Sequence, residues 1–167
     1  FAGCVATGIF GIGRKIPMNR VNDLGQREGY WRDSVGGGFV YDLYYKGGKK
    51  DGLYKRFYRN KLFLFGEYTA DNISGTWYMF GDEGELRCTI DSIELNKDSI
   101  YTGYCRIFCK YKCYCADYYP SGAVKSEGYM VCDEDFMVDF WEIGEWKYYD
   151  ESGNLIKTKD YGDRRTP

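Results

Sequence analysis

Four cysteines crowd one short stretch of the chain: Cys105, Cys109, Cys113 and Cys115. Thiols at this density have two kinds of chemistry open to them, ligation of zinc or an iron–sulfur cluster and pairing as disulfides. All four positions are odd, so on an uninterrupted strand they point to one face. Four residues of strand span ~13 Å, however, and ligands so spaced cannot converge on an ion whose bonds are about 2.3 Å unless the chain turns between them. The spacing also matches neither a C-x-x-C knuckle nor a ferredoxin run. Buried thiols or inter-strand disulfides are therefore the expectation, with Cys88 and Cys132 as partners if the protein is exported, and no metal or cofactor is expected. A cysteine-only metal site and a surface patch are the alternatives. The chain has seven cysteines, an odd number, and Cys4 is the one expected to stand apart.

A second cluster is acidic: Asp133, Glu134, Asp135, Asp139 and Glu142. Calcium needs oxygens converging from a shaped loop, and no EF-hand spacing is present. A solvated loop is the preferred reading, with a partner-binding loop carried by Asp133, Asp135 and Phe136 next to it. Paired carboxylates acting on a glycan are the enzymatic alternative. The chain has no histidine, which removes Ser-His-Asp and Cys-His nucleophile activation and the usual proton shuttle near neutral pH. A non-enzymatic protein is the expectation. With 23 Lys and Arg against 25 Asp and Glu, the formal charge is −2, a poor match for a phosphate backbone or an anionic membrane.

These groups need elements to position them, and the elements announce themselves by a period. A glycine followed two positions later by a large aromatic occurs at Gly29 and Trp31, Gly52 and Tyr54, Gly75 and Trp77, and Gly144 and Trp146. The first three glycines are 23 residues apart, and the last follows after 69, three times 23, with Asp98 and Ser121 in the intervening registers. A fixed interval of this size is the mark of stacked repeats. The 167 residues are 19% aromatic, led by 18 Tyr, with three Pro, which suits strands whose rings pack while their hydroxyls reach water. The fold class read from this is all-β: an elongated antiparallel sheet of consecutive β-hairpins. Residues 1–21 form an N-terminal segment, 22–160 the array and 161–167 a polar tail.

In order along the chain, the expectation is a turn at 23–25, a strand entered at Gly29 and a flexible connection at Gly36, Gly37 and Gly38. The glycine triplet has no P-loop spacing and is read as a loop. Then come a strand at 39–45, a polar turn at 46–52, a hairpin of 53–58 with 62–68, a turn at 69–75, a strand at 76–80 and a turn at 81–84. Here glycine is expected to set the turns. From 87 to 115 the repeat decays, with strands at 90–95 and 99–105 around a turn at 96–98. Residues 130–143 are expected as an extended hairpin or bulging loop, and the array ends after Ile156. Trp31, Tyr54, Trp77 and Trp146 are expected to stack along one face as core; an exposed row that binds a partner is the functional alternative.

Two stretches carry family likenesses. Gly144, Trp146, Tyr148, Tyr149, Gly153 and Leu155, together with Gly75, Trp77, Phe80, Gly84 and Leu86, resemble the MORN-type repeats of the bacterial YwqK-like antitoxin family, over about two thirds of the chain. The resemblance implies a MORN-like solenoid and an antitoxin-like or cell-envelope interaction. Phe1 to Cys4, FAGC, resemble the tail of a bacterial lipobox. That likeness implies acylation of Cys4, attachment to a membrane through the lipid alone, and the cell envelope rather than the cytoplasm. An apolar starting strand is the other reading of VATGIFGIG. The function expected is a repeat scaffold that binds another protein through its sheet face or its 130–143 loop.

Overall fold

The structure is a computed structural model and describes residues 17–97, 109–133 and 140–162. Eleven strands follow one another: β1 (Arg20–Val21), β2 (Arg27–Val35), β3 (Phe39–Lys46), β4 (Lys49–Tyr58), β5 (Lys61–Thr69), β6 (Asn72–Phe80), β7 (Leu86–Leu95), β8 (Tyr111–Tyr118), β9 (Val124–Cys132), β10 (Phe140–Tyr149) and β11 (Leu155–Asp160). They form a single antiparallel sheet in sequence order, not closed into a barrel, and the described residues contain no helix. Each strand packs on its chain neighbours, so stability accrues hairpin by hairpin.

Two kinds of turn join the strands. Gly47–Gly48, Arg59–Asn60 and Ala70–Asp71 all have positive φ at both positions, the two-residue turn whose twist matches that of the flanking strands. Longer turns repeat one hydrogen-bond pattern. Asn22, Gly81, Tyr119 and Asp150 each donate N–H to the carbonyl four residues on and accept from the N–H of a glycine three residues on, at Gly25, Gly84, Gly122 and Gly153.

The glycines that mark the period do something else. Gly52, Gly75 and Gly144 lie inside strands, not in turns, and each has positive φ. Each sits in a bulge: β3 moves from Leu43 to Tyr45 while its partner β4 moves from Tyr54 to Lys50. Between β5 and β6, Phe65 pairs with Tyr78 and Glu67 with Ser74; between β9 and β10, Tyr129 pairs with Ile143 and Glu127 with Lys147. Two extra residues are accommodated each time, and glycine meets the left-handed φ at no steric cost. The expected turns at 46–52 and 69–75 therefore shrink to Gly47–Gly48 and Ala70–Asp71, and the remaining residues are strand.

The later boundaries also move. Asn96 closes the end of β7 by donating Nδ2 to the Cys109 carbonyl at 2.8 Å and N–H to the Lys110 carbonyl at 2.9 Å. The strand expected at 99–105 lies outside the described residues. Met130 to Cys132 and Phe140 to Ile143 are paired strand, with Cys132 opposite Phe140 and Met130 opposite Glu142, and residues 134–139 of the expected hairpin or loop lie outside the described residues. The array continues beyond Ile156 through β11, and Tyr161 packs against the core.

Register aligns one row of residues across ten strands: Trp31, Leu43, Tyr54, Gly66, Trp77, Ile90, Cys115, Gly128, Trp146 and Lys159. The adjacent row on the same face is Asp33, Tyr41, Arg56, Leu64, Met79, Cys88, Asp117, Ser126, Tyr148 and Lys157. This face carries the main core. Trp77 and Trp146 are buried, and each indole lies over a glycine of the neighbouring strand. A Cβ on Gly66 would come within 2.1 Å of the Trp77 ring, and one on Gly128 within 2.5 Å of the Trp146 ring. Both indole N–H groups are satisfied, Trp77 Nε1 by the Ser74 carbonyl at 3.1 Å and Trp146 Nε1 by the Tyr129 carbonyl at 2.8 Å.

Candidate functional site

Along the first of these rows the side chains change in size. From Trp31 to Trp77 rings dominate: Tyr54 lies 5.5 Å from Trp77 and Tyr68 5.3 Å from it, centroid to centroid. Beyond Trp77 the row continues as Ile90, Cys115 and Gly128 before the next indole. Gly128 is covered by the Trp146 indole, but Ile90 and Cys115 carry no ring over them and leave a depression. It is an open groove of about 410 Å³. Met79, Ile90, Met130, Phe140, Trp146 and Tyr148 give it apolar walls, and Asp117, Lys125, Ser126 and Glu142 add a polar fringe. Cys88 and Cys115 complete its lining.

Each polar group is positioned by the sheet. Asp117 and Ser126 are register partners on β8 and β9, and Ser126 Oγ donates to Asp117 Oδ2 at 2.9 Å. The Tyr148 and Tyr161 hydroxyls lie 2.8 Å apart, and burial together with this bond raises the Tyr148 pKa. Lys157 lies over the Tyr148 ring at 4.5 Å, a cation–π contact on the side nearest β11.

The thiols form two diagonal cross-strand pairs. Cys88 Sγ on β7 and Cys115 Sγ on β8 are 3.2 Å apart; Cys113 Sγ on β8 and Cys132 Sγ on β9 are 3.4 Å apart. All four are buried, and neither pair is bonded through sulfur in this structure. The Cys88 sulfur and then burial hold the Cys115 thiol well above its ordinary pKa, and Cys132 and burial do the same for Cys113. Neither of these two carries the thiolate a nucleophile needs. Cys109 departs from the expectation that the odd positions share a face. It precedes the start of β8 and packs with Val131, Ile143 and Trp141, which lie on the opposite face from Cys132 and Met130. The strand is interrupted, so the odd-position rule does not extend back to it.

Of the remaining expected site residues, Cys4, Cys105, Asp135 and Phe136 lie outside the described residues. Asp133 follows β9 and is half-buried. Trp77, Trp146 and Tyr54 are core residues, and of these only Trp146 borders the groove; Trp31 is half-buried beneath the Arg27 guanidinium, 4.4 Å above its ring. Sequence reasoning missed Asp117, Lys125 and Ser126. Their signal was register alone, the pairing of Cys88 with Asp117 and of Asp117 with Ser126.

A different polar feature occupies the other face near the start of the sheet. Arg32 Nε and Nη2 donate to the two oxygens of Asp42, both at 2.6 Å, and Asp42 is buried. Burial alone would raise the Asp42 pKa, but the hydrogen bonds from Arg32 and Tyr30 outweigh it and hold the carboxyl below its ordinary value. This pair anchors structure.

In comparison with known proteins, the chain matches no family model, no curated protein and no solved structure.

Proposed function

We propose that this protein is a non-enzymatic scaffold that binds another protein at the groove between β6 and β10. One observation carries the reading: an open groove of about 410 Å³ with an apolar interior and a polar fringe, larger than the depression of about 260 Å³ among Trp31, Leu43 and Tyr54 on the same face. That distribution is the anatomy of a binding patch, in which apolar contact supplies energy and the rim supplies orientation. Part of the 130–143 segment contributes, since Met130, Phe140 and Glu142 line the groove. The MORN-type likeness of the repeats supports a scaffold in the cell envelope, tethered by an acylated Cys4.

Photo-crosslinking residues placed at Lys125 and Phe140 test the reading in cells of the source organism. The expected result is one stoichiometric protein adduct from both positions and none from Leu53, an exposed residue on the other face. Equal adducts from all three positions, or none, would end it. Mass spectrometry of the native N-terminus tests the tether: loss of residues 1–3 and a diacylglyceryl mass on Cys4 are expected.

A second reading, a carboxylate-based enzyme acting on glycan, has one observation in its favour. Asp117 and Glu142 line the same groove as Trp146 and Tyr148, which gives two carboxylates and an aromatic platform. Turnover of a glycan library that disappears with Glu142→Gln would establish it in place of the scaffold.

A further inference from the structure

Ligands strung along one strand cannot meet at an ion, but ligands from neighbouring strands can. Cys88 comes from β7 and Cys115 and Asp117 from β8, and their ligand atoms all lie within 4.8 Å of one another. Among the described residues this is the one set of three metal-ligating side chains that converge. We propose that Cys88, Cys115 and Asp117 form a binding site for a zinc-class divalent ion in the wall of the groove.

The donor set fits. Two thiolates and a carboxylate suit zinc, whose bonds to sulfur are about 2.3 Å and to carboxylate oxygen about 2.0–2.2 Å. A tetrahedral angle with such bonds separates the sulfurs by about 3.8 Å. The present 3.2 Å asks for a shift of several tenths of an ångström, within reach of side-chain torsions. Binding forms two zinc–sulfur bonds and one zinc–oxygen bond, and the two thiol protons leave to solvent.

The surroundings also fit. Ser126 Oγ donates to Asp117 Oδ2 at 2.9 Å, an outer contact of the kind that fixes a ligating carboxylate. All three ligands line the groove, so an ion there keeps its fourth position toward open space, as in zinc sites that bind an exogenous ligand. The other thiol pair shows the contrast. Cys113 and Cys132 are each 0% exposed and do not line the groove, and that pair is packing. The ion site stands whether or not a protein partner occupies the groove, so the two proposals fail separately.

The test is a titration of the reduced full-length chain with Co²⁺, whose thiolate charge-transfer and tetrahedral d–d bands report both the ligands and their geometry, followed by displacement with Zn²⁺. One equivalent should bind. Cys88→Ser and Cys115→Ser should abolish the thiolate bands, Asp117→Asn should weaken binding, and Ser126→Ala should lower affinity on the order of tenfold. Cys132→Ser should bind as the unaltered chain does. Circular dichroism monitors the fold of each variant; if the serine variants at Cys88 and Cys115 do not fold, Asp117→Asn and Ser126→Ala decide, because Asp117 is only half-buried and Ser126→Ala removes a single hydroxyl from a buried position. Absence of thiolate bands after full reduction, bands that survive Cys88→Ser, or affinity unchanged by Asp117→Asn would each overturn the site. So would a Cys88–Cys115 disulfide in the isolated protein whose reduction does not bring cobalt binding.

Discussion

The stretch from β2 to β6 and the stretch from β7 to β10 share one backbone plan, yet they use the same face differently. In the first, the central row is Trp31, Leu43, Tyr54, Gly66 and Trp77, with the Trp77 indole over Gly66 and with Arg27 and Arg56 laid over rings. In the second, the row is Ile90, Cys115 and Gly128, and the face opens into a groove before Trp146 closes it. The difference teaches that hairpin stacking supplies a frame indifferent to what stands in its registers. A register position covered by a ring, as Gly66 and Gly128 are by indoles, becomes core, and one left uncovered, as at Cys115, opens into a groove.

That comparison can be broken by substitution. The largest effect is expected at Trp77, fully buried against two tyrosines: Trp77→Ala should cost about 4 kcal/mol in urea unfolding. Cys115→Ala, which removes a single sulfur beside an existing groove, should cost about 1 kcal/mol. Equal losses would mean the two stretches are packed alike.

The glycines beneath the indoles give a sharper test. Gly66→Ala forces a methyl to within 2.1 Å of Trp77, which has rings on its other sides, and should destabilise by about 3 kcal/mol. Gly128→Ala presses on Trp146, which can shift toward the groove, and should cost about 1–2 kcal/mol. A larger loss at Gly128 than at Gly66 would contradict the open character of the second stretch.

A smaller effect is expected from pH. Folding lowers the Asp42 pKa, so the Arg32–Asp42 contribution is complete above the ordinary carboxylate pKa of about 4 and drains as pH falls through the lower folded value. Asp42→Asn should therefore cost about 1–2 kcal/mol at neutral pH and progressively less on acidification below pH ~4. Unfolding midpoints of the two proteins that stay parallel throughout that range would show that the charge on Asp42 contributes nothing. The smallest effect is at a turn: Ala70 holds a φ of 48°, and Ala70→Asn, better suited to that region, should stabilise by about 0.5 kcal/mol in the same assay.

Much of the frame was legible because its causes are local. Turn glycines at Gly25 and Gly84, the Gly-x-aromatic spacing and the aromatic content each reflect a demand that a few neighbouring residues impose on themselves. Gly52 and Gly75 serve bulges rather than the expected turns: a positive φ suits either, and only pairing tells them apart. The groove was not legible, since its shape depends on Cys88 standing in register with Met79 and Asp117, and Cys115 with Ile90, across strands. The meeting of Cys88 with Cys115 likewise bridges residues 27 apart in sequence, across the stretch where the repeat decays. Asp117 carried no mark of its own among so many carboxylates.

The bulges have a consequence for how such a chain can change length. A strand alternates its faces, so the sheet reads its sequence with a phase of two, and the paired extra residues near Gly52, Gly75 and Gly144 leave that phase intact. In β7 the accommodation is single: Asp91 pairs with Tyr114 and Glu94 with Lys112, around Ser92 at a φ of 51°. There the phase slips, and it is Ile93, an odd position after the even Ile90, that joins the core. Insertions and deletions in this chain are thus of two grades. Those of two residues are absorbed as curvature, whereas those of one exchange the inside of the sheet for its outside until a second slip restores it.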